Sequence, residues 1–345
     1  MRSKTTAAGD RLIGGFFGLE LPEPRGGFAE LWQVTGGATF TNARSAFAAL
    51  IQTVDPPRVW LPAYICEELV KVVPEERLAF YPVGQKLMPA TDILESSTRP
   101  GDMVLGVNYF GRPPNHAFLE FIEQRQDLVF VEDCAQAIDT GIPPWGHWRL
   151  FSPRKLMGIP DGGLLLASRT HSMTVPSSPP LFDMLIFEPS LRRFEDEMET
   201  QNAVWHAANL MRERAETVSN RRMSHLSGAL LHLLDPTRII ARRRANFAVL
   251  QERLTQLSFL KDGSPNYVPF GFPIRVARGK CDGIIGELAS TGIFVARHWS
   301  NLPSPAEIFQ EEHRLAAELM TLPCDQRYSL DDMARIASAV EVAVS

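Results

Sequence analysis

Between residues 39 and 168, short β-rich runs alternate with stretches whose apolar positions recur at helical period. That pattern builds a mainly parallel sheet covered by helices on both faces. The runs at 58–63, 78–83, 103–108, 128–132 and 163–167 read as strands, and 45–53, 67–73 and 116–126 as helices. Residues 170–200 carry a Ser-Ser-Pro-Pro run and no clear period, so they read as an irregular connection lining a cleft or a subunit contact. Helical period returns over 203–218 and 236–257. After the Asp262-Gly263 turn pair come a strand (268–276), a helix (282–290), a strand (292–296) and a terminal helix (330–344). The expected fold class is therefore α/β: a large domain over 30–235 and a smaller α+β domain over 236–345, with 1–29 packing on the second.

Composition agrees with two domains: 345 residues, 45% hydrophobic and 22% charged. A net charge of −5 without long single-sign runs leaves no electrostatic footprint for nucleic acid or an anionic membrane, so a small-molecule partner is the default. Three consecutive arginines, Arg242, Arg243 and Arg244, read as a solvated or interface face of their helix. Cys66, Cys134, Cys281 and Cys324 lie far apart with no C-x-x-C pair, which argues against a zinc ribbon or disulfide framework and suits a reducing compartment. The apolar stretch at 12–21 is short, glycine-rich and broken by Glu20, so it predicts neither a signal peptide nor a membrane span; the expected location is cytoplasmic.

Lysine is scarce: Lys4, Lys71, Lys86, Lys155, Lys261 and Lys280 stand against 29 arginines. Only Lys155 is framed by a rigid loop, with Pro153 before it and Gly158, Pro160, Gly162 and Gly163 after it. Upstream, the buried-looking strand at 128–132 runs into Asp133, and open α/β sheets bind ligands outside the carboxyl ends of their strands. A third element, the polar turn and helix start at 41–50, offers free amides and a positive dipole end to a phosphate, with Arg44 and Ser45 as added donors. A lysine that forms an imine and shuttles a proton, a carboxylate that keeps a pyridine nitrogen protonated and a phosphate cradle are what pyridoxal phosphate requires. Each signal alone has a plain structural rival: a surface lysine, a strand-end cap, an ordinary helix start.

Five blocks in order raise the weight of the set: LPAYIC (61–66), NYFGRP (108–113), VEDCAQA (131–137), FSPRK with its trailing DGG (151–163) and LPCDQRY (322–328). With them the chain resembles the DegT/StrS-type sugar aminotransferases, which share the aspartate-aminotransferase fold. The resemblance implies a fold type I pyridoxal-phosphate enzyme and a homodimer with both sites at the interface. It implies that Lys155 forms the imine, that Asp133 partners the pyridinium and that Gln136 neighbours the phenolic oxygen. Arg44 and Ser45 would fall on the phosphate turn. Asn220, Arg222, Met223 and Ser224 look similar to a motif reaching the partner subunit's cofactor. Tyr109 and His298 are candidate substrate contacts; Trp299 follows His298 and has core packing as its rival reading.

The departures are equally specific. Cys66 stands where the family usually stacks an aromatic residue on the ring, which leaves Tyr64 as an alternative cover. Leu150 stands where a phosphate-binding serine is common, and Ser152 is the nearest hydroxyl. The stretch from Gln136 to Lys155 is compressed. Related dehydratases replace the lysine by histidine, so Lys155 favours amino transfer from an amino acid, glutamate by family analogy, to a keto sugar, expected to be nucleotide-linked. The alternatives are a non-sugar ketone and a catalytically silent relative acting as a scaffold or regulator. No metal site is expected.

Overall fold

The computed structural model describes residues 19–24, 26–34, 37–167, 178–180, 182–196, 202–261 and 265–345. Lys4, the Asp262-Gly263 turn and most of the 12–21 stretch lie outside them. The large-lobe strands are β1 (Ala38–Phe40), β2 (Val59–Pro62), β3 (Leu78–Tyr81), β4 (Met103–Val107), β5 (Val129–Asp133), β6 (Trp148–Phe151) and β7 (Gly163–Ala167). They form one sheet in the order β1-β7-β6-β5-β4-β2-β3. From β6 to β3 all neighbours are parallel, whereas β7 runs antiparallel to both β6 and β1. The carboxyl ends of β2, β4, β5 and β6 consequently share one edge. Every block carrying candidate chemistry in the large lobe follows one of those ends or faces it.

Helices before and between these strands are α1 (Gly27–Leu31), α2 (Ala43–Val54), α3 (Glu67–Val70), α4 (Thr91–Ser97) and α5 (His116–Gln124). Asn42 caps α2 by accepting the Ser45 amide at 2.9 Å, and Asn115 caps α5 by accepting the Phe118 amide at 3.1 Å. The expected helix at 67–73 stops at Val70, because two β-branched valines followed by Pro74 disfavour continuation. Beyond β7 come α6 (Met184–Glu195), α7 (Asn202–Ala215), α8 (His225–Leu233) and α9 (Pro236–Leu254). The described part of the expected irregular connection at 170–200 is thus largely α6, capped by Asp183 and holding Pro189 inside it.

The C-terminal lobe adds β8 (Phe272–Arg275), α10 (Cys281–Ser290), α11 (Gln310–Glu318), β9 (Leu319–Leu322) and α12 (Leu330–Ala343). β8 and β9 pair antiparallel. The expected strand at 292–296 does not form; Ala296 makes one bridge to Thr321, and the chain then turns at Trp299, φ 58°, toward the large lobe. The expectation of a solvated or interface face at the arginine run on α9 divides by residue: Arg242 and Arg244 are exposed, but Arg243 is buried within the chain.

Among the described residues three apolar cores stand out. One fills the sheet of the large lobe, from Phe40 and Phe47 to Leu105 and Phe130. A second joins α9, α10, α12, β8 and β9 through residues such as Phe247, Phe272, Leu322 and Ile336. A third gathers Phe28, Trp32, Phe151, Leu156, Met157, Met223, Leu231 and Ile239, so that α1 packs on α8 and α9 and the loop after β6 is embedded between them. The two lobes meet at the carboxyl edge: the Ser304 hydroxyl donates to the Ala63 carbonyl at 2.9 Å, and the Glu312 carboxylate accepts the Val83 and Gly84 amides at 2.7 and 2.8 Å. Among the described residues no helix is long and apolar enough to cross a membrane.

Candidate active site

Alternation along β5 sends its last two acids to opposite sides of the sheet. Glu132 turns to the far face, where it accepts the Asn108 side-chain amide at 3.0 Å and the Trp145 and Gly146 amides at 3.1 and 3.4 Å. Asp133 turns to the crevice. Its Oδ1 accepts the Ala135 amide at 2.8 Å, while Oδ2 has no hydrogen-bond partner among the described residues. Burial raises the Asp133 pKa, the Ala135 amide opposes that, and the Lys155 ammonium pulls it back further.

Lys155 ends a single 3₁₀ turn, residues Pro153–Lys155, directly after β6. Its amide donates to the Ser152 carbonyl at 3.0 Å, and the residue is exposed. The turn is pinned downstream by Asp161, whose buried carboxylate accepts the Ser224 hydroxyl at 2.6 Å, the Ser224 amide at 3.0 Å and the Ser227 hydroxyl at the start of α8. Gly163 follows because β7 begins against α2: a Cβ there would lie 2.2 Å from the Asn42 carbonyl.

The Lys155 charge acts on three groups at once: Asp133, Cys66 and His298. Cys66 caps α3 with its thiol half-buried; burial raises its pKa and Lys155 opposes the rise. His298 comes from the small lobe, its Nδ1 2.9 Å from the Thr321 hydroxyl. Burial, reinforced by Lys155, pushes its pKa down to about 4, so the ring is neutral at pH 7. Tyr109 and Tyr64 complete this wall. The Tyr109 hydroxyl donates to the Tyr64 carbonyl, and the Tyr64 hydroxyl donates to the His298 carbonyl at 2.9 Å. Tyr64 meets Tyr109 and Trp299 edge-on at 5.8 and 5.4 Å between centroids. Tyr64 is 0% exposed, so it offers no open ring face to a ligand, and the accessible group at that position is Cys66.

The remaining candidates are placed as follows. Gln136 is buried and its Oε1 accepts the Phe110 amide at 2.8 Å, which leaves its Nε2 as the unspent donor among the described residues. Ser152 is buried beside Lys155, and its hydroxyl has no partner among the described residues. Ser45 spends its hydroxyl on Asn42 Oδ1 at 2.8 Å and on the Ser219 amide at 2.9 Å. The Arg44 guanidinium is held by Glu68 and by Glu216, at 3.3 Å from the latter. Asn220 is exposed on the link between α7 and α8 and makes no contact with Lys155 or Asp133 within the chain.

Residues that sequence reasoning passed over also stand here. Asn42 caps α2, a role its position before an apolar-periodic run advertises. Arg154 shares Glu216 with Arg44, at 3.2 Å, and its Nε is buried without a partner among the described residues, as is the Thr41 hydroxyl next to the start of α2. Those orphaned donors lie near a helix start whose Ala43 and Arg44 amides have no helical acceptor, an arrangement that fits a bound phosphate. The unsatisfied Asp133 oxygen and the exposed Lys155 amine fit a protonated pyridine and an aldehyde. The donor set therefore suits pyridoxal phosphate. Among the described residues no cluster of His, Cys, Asp and Glu could hold a metal ion.

Comparison with solved structures supports the fold at low sequence identity. Spr1654 from Streptococcus pneumoniae, in its PMP form, superposes with a TM-score of 0.65 at 15% identity, covering 92% of this chain and 90% of that one. The E. coli GDP-4-keto-6-deoxy-D-mannose-3-dehydratase with bound hydrated PLP gives 0.64 at 14% identity, covering 92% of each chain. S. venezuelae DesV in complex with a ketimine intermediate gives 0.62 at 19% identity, covering 95% of this chain and 91% of that one. No curated protein matches the chain in sequence. The model of the DegT/DnrJ/EryC1/StrS aminotransferase family matches residues 87–341, which take in the Asp133 block, the Lys155 loop and the small lobe. The chain belongs to the DegT/DnrJ/EryC1/StrS aminotransferase family.

Proposed function

We propose that this chain is a pyridoxal-phosphate-dependent aminotransferase that moves an amino group from an amino acid, glutamate as donor, to a keto sugar carried on a nucleotide. The observation carrying the reading is that buried Asp133, at the end of β5, and exposed Lys155, on the turn directly after the neighbouring parallel strand β6, stand at the same carboxyl edge of the sheet, where burial raises the Asp133 pKa and the lysine charge opposes the rise. When bound, the cofactor supplies an aldehyde and an electron-accepting ring. Lys155 Nζ would hold that aldehyde and would serve as the base that moves the proton at the substrate α-carbon. Asp133 Oδ2 holds a proton on the ring nitrogen, and Gln136 Nε2 donates toward the phenolic oxygen. Ser152, Thr41 and the amides opening α2 take the phosphate. Tyr64, Tyr109 and Trp299 pack on one another beside His298, whose neutral ring offers a polar edge without a competing positive charge.

Asn220 and Arg222, exposed on their link, suit a role in the partner subunit's site, so the working unit is a cytoplasmic homodimer. The large unit spans 30–235 and the small one 236–345. A non-sugar ketone is the second reading, favoured by the replacement of the ring-stacking aromatic with half-buried Cys66.

Purified protein loaded with pyridoxal phosphate is expected to be yellow, to bleach with glutamate and to recover with nucleotide-linked keto sugars. Bleaching by glutamate with recovery only on non-sugar ketones selects the second reading. A protein that neither colours nor bleaches with any amino acid overturns both.

A further inference from the structure

We infer that Arg243 and Gln326 of the small lobe are positioning residues for Lys155, clasping the backbone of the reactive turn so that its amine is held against Asp133. The inference rests on the proposed cofactor chemistry and assigns work to two residues that touch neither Lys155's amine nor Asp133.

Arg243 lies in the middle of α9 and is 2% exposed, although its neighbours on either side are open to solvent. All three of its nitrogens are spent. Nε donates to Gln326 Oε1 at 2.8 Å, Nη1 to the Pro269 and Phe270 carbonyls at 3.1 and 2.9 Å, and Nη2 to the Leu156 carbonyl at 2.7 Å. Gln326 Nε2 donates to that same Leu156 carbonyl at 3.1 Å. Both lone pairs of the carbonyl one residue past Lys155 are therefore filled from the small lobe.

No carboxylate among the described residues touches Arg243; Asp325 acts on it only through space. Burying a guanidinium without contact pairing is costly, and an apolar side chain would pack α9 against the loop at less expense. What an apolar residue lacks is direction: Arg243 Nη2 and Gln326 Nε2 together fix where the Leu156 carbonyl sits, while the other Arg243 donors anchor the guanidinium on Gln326 and the 269–270 backbone. The Leu156 side chain is buried in the third core beside Met157 and Ile239, so the residue is fixed at both ends. The same backbone that Nη1 holds also reaches the cofactor wall, since the Phe270 amide donates to the Phe110 carbonyl at 3.0 Å and the Phe110 amide donates to Gln136. Lys155 and Gln136 are thus referenced to one guanidinium.

The test uses the full chain loaded with pyridoxal phosphate. Gln326→Leu keeps bulk and removes one donor to the Leu156 carbonyl together with the acceptor of Arg243 Nε; Arg243→Lys keeps the charge and one ligand. Arg253→Ala is the control, because Arg253 ties α9 to α12 through the Ala334 carbonyl and Glu341, far from the reactive turn. Three quantities are read: melting temperature, cofactor dissociation constant from the lysine-linked colour, and the pH midpoint of that colour. Gln326→Leu and Arg243→Lys are each expected to weaken cofactor binding about tenfold, ~1.4 kcal/mol, and to move the pH midpoint by about half a unit. Arg253→Ala is expected to lower the melting temperature while leaving both cofactor readouts in place. Wild-type affinity and midpoint in Gln326→Leu, or equal shifts in Arg253→Ala, overturn the clasp alone. Absence of a borohydride-reducible link to Lys155 in the wild type overturns the cofactor reading and the clasp with it.

Discussion

Replacing Asp161 by alanine removes the carboxylate that fastens the reactive loop to α8, and the geometry sets the size of the loss. Oδ1 accepts two serine hydroxyls and Oδ2 accepts the Ser224 amide at 3.0 Å. Hydrogen bonds to a charged group contribute about 1.5–3 kcal/mol each. Their plain sum overstates the effect, because the freed hydroxyls can turn toward one another, and the Ser227 amide already bonds Ser224 Oγ at 3.1 Å. The Ser224 amide has no such recourse: the residue is 7% exposed and its former partner is gone. A net destabilisation of about 3–4 kcal/mol follows. With an unfolding entropy of ~2.1 cal/mol/K per residue, a chain of 345 residues has about 0.7 kcal/mol/K, so the melting temperature falls by about 5 °C. Thermal and urea unfolding of the purified variant measure this, with an unchanged m-value showing that the native state is still compact. A drop of under about 1 °C, or a double-mutant cycle with Ser227→Ala that shows no coupling, refutes the reasoning.

Lys155→Ala is expected to abolish the yellow colour and the borohydride-stable link, with melting temperature nearly unchanged because the side chain is exposed; retained colour contradicts the assignment. Asp133→Asn keeps the shape but not the charge, so turnover should fall on the order of 100-fold while cofactor still binds, checked by single-turnover bleaching with glutamate. His298 has a folded pKa of about 4, below its unfolded value, so its contribution to stability is complete above the unfolded pKa and is lost as pH falls from there toward about 4. Melting temperatures of the wild type should therefore drop more steeply than those of His298→Gln across that window. Asn42→Ala should cost about 1 kcal/mol through loss of the α2 cap and loosen cofactor binding, since Asn42 Oδ1 accepts both the Ser45 amide and the Ser45 hydroxyl; an equilibrium titration with pyridoxal phosphate reads the second effect.

Much of this was legible in the chain itself. Runs of β-branched and aromatic residues marked β2, β3, β4, β5 and β7 to within about two residues, since a strand buried on both faces must be apolar throughout. β1 and β6 escaped notice: runs of three and four residues are too short to show a period. The small lobe misled for a different reason. The apolar stretch at 292–296 looks like a strand, yet pairing along β8 goes to β9, and the stretch is drawn toward the large lobe by the Tyr64–His298 and Ser304–Ala63 contacts. Among the candidate site residues, the side chains of Arg44 and Ser45 are spent on neighbours brought in from Ser219, Glu216 and Glu68, which local sequence does not reveal.

The sequence by itself determined the class of sheet, the scarce lysine in a rigid turn, the acid at a strand end and the family blocks in order, because these depend on side-chain type and local spacing. Tertiary structure alone decided which acid of the Glu132-Asp133 pair faces the crevice, why Tyr64 is buried while Cys66 is not, and why one arginine of three in a row is buried. Each of those outcomes depends on what packs opposite a residue, and the partners, Lys155, Trp299 and the Leu156 carbonyl, lie from 22 to 235 positions away along the chain.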